Sequence, residues 1–539
     1  MISKKIYFYL YALLAIVLGC GLFIPLMEND SAQHATMAMR MARDSDFLNI
    51  FKGENPYLDK PHMHFWLSAL SFKIFGFHVW AYRLPAILLT LFGAYGLKQL
   101  ANLLYKNKEV GPLAALIFLS SFAIILSLHD VRTDAVLAAF TILASWQWFR
   151  FLKTSSLNGA ILGGLFTAFA YATKGMLAVA IIGLFLFYAV TFLNLWKKLF
   201  NYKLLIGIAF FILGSLPMFY AYYHQFGWEG IEFITYGQST GRFKGEDFGT
   251  ASSNDYAFFF HTLLWAMLPW GLWFYYTTYI QGKAWIKKNN HTELITAATV
   301  LTFIIGMNFS SFKLPHYLNI VLPFAAIFTA GGFLDIYTKS SIHLKKLYTY
   351  TQYFIVGIGF VLGGILLYCF PIEHIIIIVV LIVALAIGIY FWLKATRLEK
   401  PILAAAGFIL ISAIYLNTTF YPSLIQYQAN HQIGDYILEH DIPQKRVYNL
   451  SKKHTWATDW KLNRTIRTVE PKNIKDLQTP IYGIVYKEDP QSLFGSDYKV
   501  TKVFQTNHYR ITRLKWKFLN PATRDQTLEN AFLVKVEQR

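Results

Sequence analysis

Long apolar runs recur along this chain, and most approach the length that crosses a lipid bilayer. A helix needs about 20 apolar residues to span about 30 Å of hydrocarbon. The runs fall near residues 6–27, 78–97, 109–128, 133–149, 157–173, 175–196, 204–222, 257–281, 292–310, 316–336, 350–370, 375–393 and 401–420. This pattern predicts an α-helical multi-span membrane protein with about 13 transmembrane helices, of which the fourth to sixth have the least defined ends.

The pattern changes near residue 421, where hydropathy drops and polar residues become frequent. Short β-rich runs at 479–486 and 498–504 alternate with polar turns, and 432–440 has a helical pattern. We therefore expect a transmembrane domain over 1–420 and a soluble α/β domain over 421–539. The outer loop at 28–77 within the first domain is expected to carry interfacial helices.

Composition excludes a water-soluble globule, since 55% of the residues are hydrophobic and 15% charged, against about 25% charged in soluble domains. Cys20 and Cys369 are the two cysteines, and both lie in apolar runs. They support neither a disulfide framework nor a metal cluster.

The net charge of +19 is explained by topology, because alternate short loops are all basic. Their basic residues are Lys98, Lys106 and Lys108; Arg150 and Lys153; Lys197, Lys198 and Lys203; Lys283, Lys287 and Lys288; Lys339, Lys345 and Lys346; and Lys394, Arg397 and Lys400. The positive-inside rule then predicts a cytoplasmic N-terminus. An odd number of spans places the C-terminal domain on the outer side, and no nucleic-acid partner is expected.

Asp30 is the first candidate functional residue, because it stands where the first apolar run ends. The stretch after it is amphipathic and predicts a helix lying in the membrane interface, with a charged outer face. A carboxylate held at that place can face both a lipid-borne substrate and the aqueous side. We therefore predict a functional role for Asp30.

A second polar insert, HDVRTD at residues 129–134, separates two strongly apolar runs. Charged side chains near hydrocarbon cost about 2.5–3.5 kcal/mol each at the bilayer centre, so they usually face a cavity or each other. One interpretation is an Asp-Arg pair in a tight turn, with Thr133 or Asp134 capping the next helix. If the turn folds towards Asp30, the site instead has two carboxylates, one as general base and one as orienting partner.

Basic residues on the same predicted side complete the candidate site: Lys60, Lys174, Arg242 and Lys313. Each alone could extend towards lipid head groups. Together they suggest a site for a lipid-linked phosphate, whose oxygens Lys and Arg neutralise. Further candidates for lining the site or contacting an acceptor are His34, Asp59, His62, His316 and Tyr317. The chain has no Walker loop and no GxGxxG after a strand, so a nucleotide-activated donor is not expected.

The order of these motifs resembles that of a known family. The motifs are Asp30, YLDKPHMHFW at 57–66, RLPA at 83–86, RTDA at 132–135, TKG at 173–175, GRF at 241–243, PW at 269–270 and SFKLPHYLNIVLP at 311–323. They resemble the protein-mannosyltransferase and aminoarabinose (4-amino-4-deoxy-L-arabinose) transferase branch of the GT-C membrane glycosyltransferases. The resemblance covers residues 1–340 by motif and the remainder by architecture.

This resemblance implies transfer of a sugar, with inversion, from a polyprenyl-phosphate carrier to a lipid or protein acceptor. The reaction would occur on the outer face of the bacterial inner membrane, with lipid A or another glycolipid as acceptor. By the same resemblance Asp30 is the principal catalytic carboxylate, Asp134 a second acid and Lys60 a ligand of the carrier phosphate. No cofactor is implied beyond the lipid-linked donor.

Three departures from the family pattern leave the sugar and the acceptor open. The chain has DSAQH at 30–34 where relatives tend to have DETRY, and DKPH at 59–62 where they tend to have EKPP. A family histidine before the Arg-Phe pair is also absent, since QSTG occupies 238–241. Without that histidine the pattern leaves a divalent metal open, with Asp59 as the candidate ligand.

Three other functions remain open. A protein O-glycosyltransferase could use the same donor, with the C-terminal domain binding polypeptide. A transporter or flippase would also need charges in membrane segments, but here the unusual charges gather on one face and no two halves of the chain resemble each other. An envelope scaffold protein would depend on the C-terminal domain alone.

Overall fold

Helices form most of the protein in the computed structural model, which describes residues 2–238, 240–241, 255–286, 293–339 and 341–539. The α-helices are α1 (Lys4–Leu22), α2 (Asp30–Asp44), α3 (Met63–Phe75), α4 (Val79–Leu104), α5 (Val110–Leu119), α6 (Phe122–His129), α7 (Thr133–Thr154), α8 (Leu157–Lys174), α9 (Met176–Phe192), α10 (Trp196–Leu199), α11 (Tyr202–Glu232), α12 (Phe258–Ala266), α13 (Gly271–Ile286), α14 (Ile295–Asn308), α15 (Leu322–Lys339), α16 (Ile342–Cys369), α17 (Ile375–Lys394), α18 (Glu399–Tyr415), α19 (Tyr421–Ile425), α20 (Ala429–Glu439), α21 (Trp456–Lys461) and α22 (Trp516–Leu519). The strands are β1 (Phe51–Lys52), β2 (Asn55–Pro56), β3 (Val447–Asn449), β4 (Ile481–Val485), β5 (Tyr498–His508) and β6 (Glu529–Gln538). Short 3-10 helices occupy Pro315–Ile320, Gln444–Arg446, Pro471–Asp476, Pro490–Leu493 and Asp525–Thr527, and π-helical turns occupy Phe233–Gly237 and Leu416–Phe420.

Helices occupy each of the apolar runs, as predicted for a multi-span membrane protein. In the described part of the chain, 7 helices are long and apolar enough to cross a membrane, or 8 if α5 and α6, which meet at 54°, form one broken span. Helices α9 and α14 are apolar but shorter. The run at 257–281 is divided between α12 and α13 at Pro269, which cannot donate to the helical ladder. The count of 13 stays a prediction.

Helix α2 is more deeply enclosed than the interfacial helix that its amphipathic pattern predicts. Residues 31–39 are all buried, because α3 and α21 pack against the helix. The Asn29 side chain caps its first turn by accepting a hydrogen bond from the Ser31 amide at 2.7 Å. The cap fixes the start of α2, and therefore Asp30, relative to the end of α1.

The C-terminal part carries a mixed four-stranded sheet in the order β3-β4-β6-β5. Strands β3 and β4 are parallel, whereas β6 is antiparallel to both of its neighbours. The predicted α/β character is confirmed: β4 lies inside the predicted run at 479–486, β5 extends the run at 498–504, and α20 covers most of 432–440. The preceding helical stretch continues to Ile425.

This sheet-bearing part docks on the linker between α1 and α2. Asn430 Nδ2 donates to Glu28 Oε1 at 2.6 Å, and His431 Nε2 lies 2.7 Å from the Leu26 carbonyl oxygen. Burial raises the pKa of Glu28 to about 7, and hydrogen bonds from Asn430 and the Ala457 amide only partly offset it. The sheet and the start of α2 therefore lie on the same side of the helical part.

Candidate active site

A cavity of about 570 Å³ lies where the helical part meets the sheet-bearing part. Its lining residues are Asn29, Asp30, Ala123, Leu126, Ser127, Asp130, Arg132, Asp134, Trp265, Leu314, Pro315, His316, Asn319, Arg510, Thr512 and Arg513. The two carboxylates singled out in the sequence, Asp30 and Asp134, thus open into one cavity. The HDVRTD turn both contains an Asp-Arg pair and folds towards Asp30.

Asp30 is the accessible carboxylate of the pair, with 53% of its side chain exposed. Arg132 Nη1 donates to Asp30 Oδ2 at 3.3 Å, and Arg132 Nη2 donates to Asp130 Oδ2 at 2.9 Å. Burial alone would lower the pKa of Arg132, but the carboxylates of Asp130 and Asp30 raise it well above its usual range. Arg132 therefore stays charged and holds the two carboxylates side by side.

Asp134 has a different environment, since only 4% of its side chain is exposed. Lys174 Nζ, itself 2% exposed, donates to Asp134 Oδ1 at 2.5 Å. His316 Nε2 lies 3.9 Å from Asp134 Oδ2, and the Lys174 ammonium stands 4.6 Å from the centre of the Tyr317 ring. Asp134, Lys174, His316 and Tyr317 therefore form one buried cluster in which the carboxylate is already neutralised.

Lys174 reaches this cluster from the last residue of α8. Gly175 ends the helix with φ at +67°, a conformation that favours glycine. A Cβ at Gly175 would stand 2.6 Å from the Gln238 side-chain oxygen, so a side chain here would also require Gln238 to move. The TKG motif thus combines a cation with the helix end that positions it.

Arg83, from the RLPA motif, fixes the backbone beneath the site and is fully buried. Its Nε donates to the His129 carbonyl at 2.8 Å and its Nη1 to the Leu22 carbonyl at 2.9 Å, and Nη1 also donates to the Ile24 carbonyl. Leu22 and His129 are the last residues of α1 and α6 and Ile24 follows α1, so these carbonyls lie where helices leave acceptors unpaired. Arg83 therefore ties the segment that leads to Asp30 to the HDVRTD turn.

Lys60 and Asp59 pair with each other rather than lining the cavity. Lys60 Nζ lies 2.7 Å from Asp59 Oδ2, and the Tyr57 hydroxyl donates to the same oxygen at 3.3 Å. In the part of the chain that the structure describes, no three His, Cys, Asp or Glu residues are grouped so that they could hold a metal ion. The roles of Lys60 in phosphate binding and of Asp59 in metal binding stay predictions.

The two histidines of this region are buried in packing contacts. His62 Nε2 lies 3.0 Å from the Leu48 carbonyl, and its ring packs against Trp66 and Tyr222. Burial, with a smaller contribution from the Lys60 charge, lowers the pKa of His34 to about 3. Neither ring is among those that line the cavity.

The remaining predicted cations lie away from the cavity lining or outside the described residues. Lys313 Nζ donates to the Asp255 carbonyl at 2.9 Å and stands 5.2 Å from the centre of the Tyr256 ring. Arg242 lies outside the described residues.

Several cavity residues were not among the candidates from the sequence: Asn29, Trp265, Asn319, Arg510, Thr512 and Arg513. Arg510 and Arg513 are the most consequential, because they bring two positive charges from the C-terminal part. Their only local signal is an Arg-Ile-Thr-Arg run in a polar stretch, which is ordinary for a soluble domain.

Comparisons with known proteins agree with the predicted resemblance. A family model described as dolichyl-phosphate-mannose-protein mannosyltransferase matches residues 59–220. The undecaprenyl phosphate-alpha-4-amino-4-deoxy-L-arabinose arabinosyl transferase 2 of Proteus mirabilis (strain HI4320) is 28% identical over 56% of this chain and 53% of its own length. The corresponding arabinosyl transferase of Pseudomonas aeruginosa (strain UCBPP-PA14) is 24% identical over 59% of this chain and 58% of its own. The matches thus span little more than half of these relatives.

Solved structures extend the likeness across the whole fold. The crystal structure of ArnT from Cupriavidus metallidurans bound to undecaprenyl phosphate matches with a TM-score of 0.75 and 15% identity, over 98% of this chain and 97% of that one. The same protein in the apo state matches with a TM-score of 0.67 and 16% identity, over 88% and 92%. The chain therefore has the fold of these structures, and its resemblance to the aminoarabinose-transferase branch of the GT-C glycosyltransferases is confirmed.

Proposed function

We propose that this protein is an inverting glycosyltransferase that moves a sugar from a polyprenyl-phosphate carrier to an envelope acceptor, such as lipid A or another glycolipid. The observation that carries the proposal is the cavity itself. It presents one accessible carboxylate, Asp30, and one neutralised carboxylate, Asp134, together with basic side chains. The names of the two similar arabinosyl transferases contain undecaprenyl phosphate-alpha-4-amino-4-deoxy-L-arabinose, which supports the same donor class here.

The different environments of the two carboxylates suggest different roles. An acceptor hydroxyl oxygen attacks the anomeric carbon and its proton passes to Asp30, while the bond from that carbon to the phosphate oxygen breaks. The departing group is the polyprenyl phosphate. An acceptor phosphate would attack already ionised, and Asp30 would then only orient it. Asp134 stays paired with Lys174 and orients groups in the cavity.

The leaving phosphate needs cations to stabilise its charge. Lys60 is the first candidate by family resemblance, with Arg242, Lys174 and Lys313 as the other candidates. We place the N-terminus in the cytoplasm, the transmembrane domain over 1–420 and the soluble domain of 421–539 in the periplasm, so that the cavity opens on the outer side. The basic alternate loops support this orientation.

The direct test is sugar transfer by the purified full-length protein with polyprenyl-phosphate sugars, including the 4-amino-4-deoxy-L-arabinose derivative. Asp30→Asn should lower the rate by at least about 100-fold, since positioned acid-base groups contribute about 10² to 10⁴. Asp44→Asn is the matched control, because Asp44 lies at the other end of α2 and pairs with Arg43 on the surface. Full activity of Asp30→Asn would contradict the proposal.

Mass spectrometry of envelope lipids from cells with and without the gene identifies the sugar and the acceptor. A sugar found on protein instead of lipid would favour the protein O-glycosyltransferase. If cells with and without the gene carry the same sugars on every acceptor but differ in the movement of a lipid across the membrane, the transporter would be favoured.

A further inference from the structure

The segment Tyr509–Leu514, between β5 and α22, joins the sheet-bearing part to the cavity. Ile511 is 5% exposed and belongs to an apolar cluster with Ile24 and Met27, which follow α1. The Tyr509 amide donates to the Tyr427 carbonyl at 2.7 Å. The segment is therefore anchored on the helical part by an apolar side chain, and on the connection between α19 and α20 by its backbone.

The anchor places two arginines in the cavity wall. The Arg513 amide donates to the Arg510 carbonyl at 3.0 Å, and the Tyr509 hydroxyl donates to the Arg513 carbonyl at 3.0 Å, so the backbone forms a closed turn around Ile511. Arg510, Thr512 and Arg513 all line the cavity, whereas Ile511 is buried beneath them. Ile511 therefore anchors the turn, and the residues on either side of it face the cavity.

The two guanidinium groups are not neutralised within the part of the chain that the structure describes. Neither forms an ion pair with a described carboxylate, and the side-chain contact of Arg510 is a weak one, from Nε to Thr512 Oγ1 at 3.4 Å. The cavity carboxylates have their own cations, since Arg132 pairs with Asp30 and Asp130. Two accessible guanidinium groups on one turn suit a phosphate, which Arg binds through paired hydrogen bonds.

We propose that Arg510 and Arg513 form an anion-binding subsite that holds a phosphate group of the acceptor in the cavity that contains Asp30. This inference rests on the proposed glycosyl transfer. The carrier phosphate could use the same chemistry, but its predicted ligands, Lys60 foremost, belong to the helical part. Arg510 and Arg513 instead come from the sheet-bearing part and line the cavity itself, so they are available to a second phosphate, that of the acceptor.

Binding and transfer by full-length protein in lipid nanodiscs test the subsite. The variant is Arg510→Gln with Arg513→Gln, and the matched control is Arg446→Gln with Arg467→Gln, two exposed arginines of the same domain that do not line the cavity. The probes are lipid A with both phosphates, its dephosphorylated form and undecaprenyl phosphate. A second variant, Arg510→Lys with Arg513→Lys, keeps the two positive charges. Together with the melting temperature of each protein, it excludes a folding defect as the cause of weaker binding.

We expect the Gln variant to raise the Kd for phosphorylated lipid A by about tenfold or more, since the loss of even one hydrogen bond between charged groups weakens binding by about that factor. Its Kd for the dephosphorylated form and for undecaprenyl phosphate should not change. The Lys variant should keep part of the affinity, and higher salt should weaken the binding of phosphorylated lipid A but not that of the dephosphorylated form. The control pair should bind all three probes as the unchanged protein does.

Two results would overturn the inference. Equal binding of phosphorylated and dephosphorylated lipid A by the unchanged protein would show that no acceptor phosphate is recognised. Weaker binding of undecaprenyl phosphate by the Gln variant, with lipid A unaffected, would assign the arginines to the carrier instead. Asp30→Asn separates this inference from the proposed function, because it should lower transfer by at least about 100-fold and leave lipid A binding intact.

Discussion

The buried pair of Lys174 and Asp134 can be tested by removing the ammonium and keeping the apolar stem, as in Lys174→Met. The structure leaves the Asp134 carboxylate almost no access to water, with 4% of its side chain exposed. The imidazole of His316 lies 3.9 Å from the other oxygen, beyond hydrogen-bond distance. Loss of the Lys174 charge therefore leaves a buried carboxylate without its partner, which typically costs about 3–5 kcal/mol.

A second substitution separates stability from function. Asp134→Asn in the Lys174→Met background removes the buried negative charge, so we expect it to recover most of the lost unfolding free energy. The two changes should then be strongly non-additive, as for residues in direct contact. Sugar transfer should stay low in the double variant, because the proposed orienting carboxylate is gone.

Chemical unfolding in mixed detergent micelles measures these free energies, with transfer assayed on the same preparations. Lys153→Met is the control, since this lysine lies at the exposed end of α7, the helix that also carries Asp134. The control should change stability by no more than about 0.5 kcal/mol. The buried ion pair would be refuted as the source of this stability if Lys174→Met lowers the unfolding free energy by less than about 1 kcal/mol, or if the double variant is no more stable than Lys174→Met.

Two further variants test the frame around the site. Arg83→Met should destabilise the protein by a few kcal/mol and lower transfer, because it removes the donors that hold the carbonyls of Leu22 and His129; unchanged unfolding and activity would exclude this role. Glu28→Gln should remove a pH dependence of stability. The Glu28 carboxyl has its pKa raised from 4.5 to about 7, so its protonation favours the folded state at low pH, and stability falls as pH rises through that window by on the order of 3 kcal/mol. The unfolding free energy measured from pH 4 to pH 8 should vary less with pH in Glu28→Gln than in the unchanged protein. An identical pH profile would contradict the raised pKa of Glu28.

The helical architecture could be predicted from the sequence because the signal is local. A run of apolar residues near 20 long identifies a membrane helix without knowledge of its neighbours. The β-rich runs that became β4 and β5 also carry their pattern within a few residues. The enclosure of α2 could not be read in this way, since it depends on α3 and on α21, which is more than 400 residues distant.

Local pattern also does not indicate every polar residue that meets the cavity. His34 and His62 stand beside Asp30 and Lys60 in the chain, yet packing turns both rings into the protein interior. Arg510 and Arg513 stand far from every predicted motif, yet the docking of Ile511 brings them to the lining. Which polar residues line the cavity therefore depends more on the long-range packing of an apolar anchor than on proximity in the chain.

The charge balance of the cavity links the two parts of the protein. From the helical part, the described site carries the carboxylates of Asp30, Asp130 and Asp134 against the cations of Arg132 and Lys174, which leaves negative charge in excess. Arg510 and Arg513 reverse that sign when their turn is docked. A phosphate of the acceptor that enters this cavity would be repelled by the first arrangement and attracted by the second. The docking of the sheet-bearing part therefore gives the cavity the sign of charge that an acceptor phosphate needs, whereas Lys60, the first candidate ligand of the carrier phosphate, does not line the cavity.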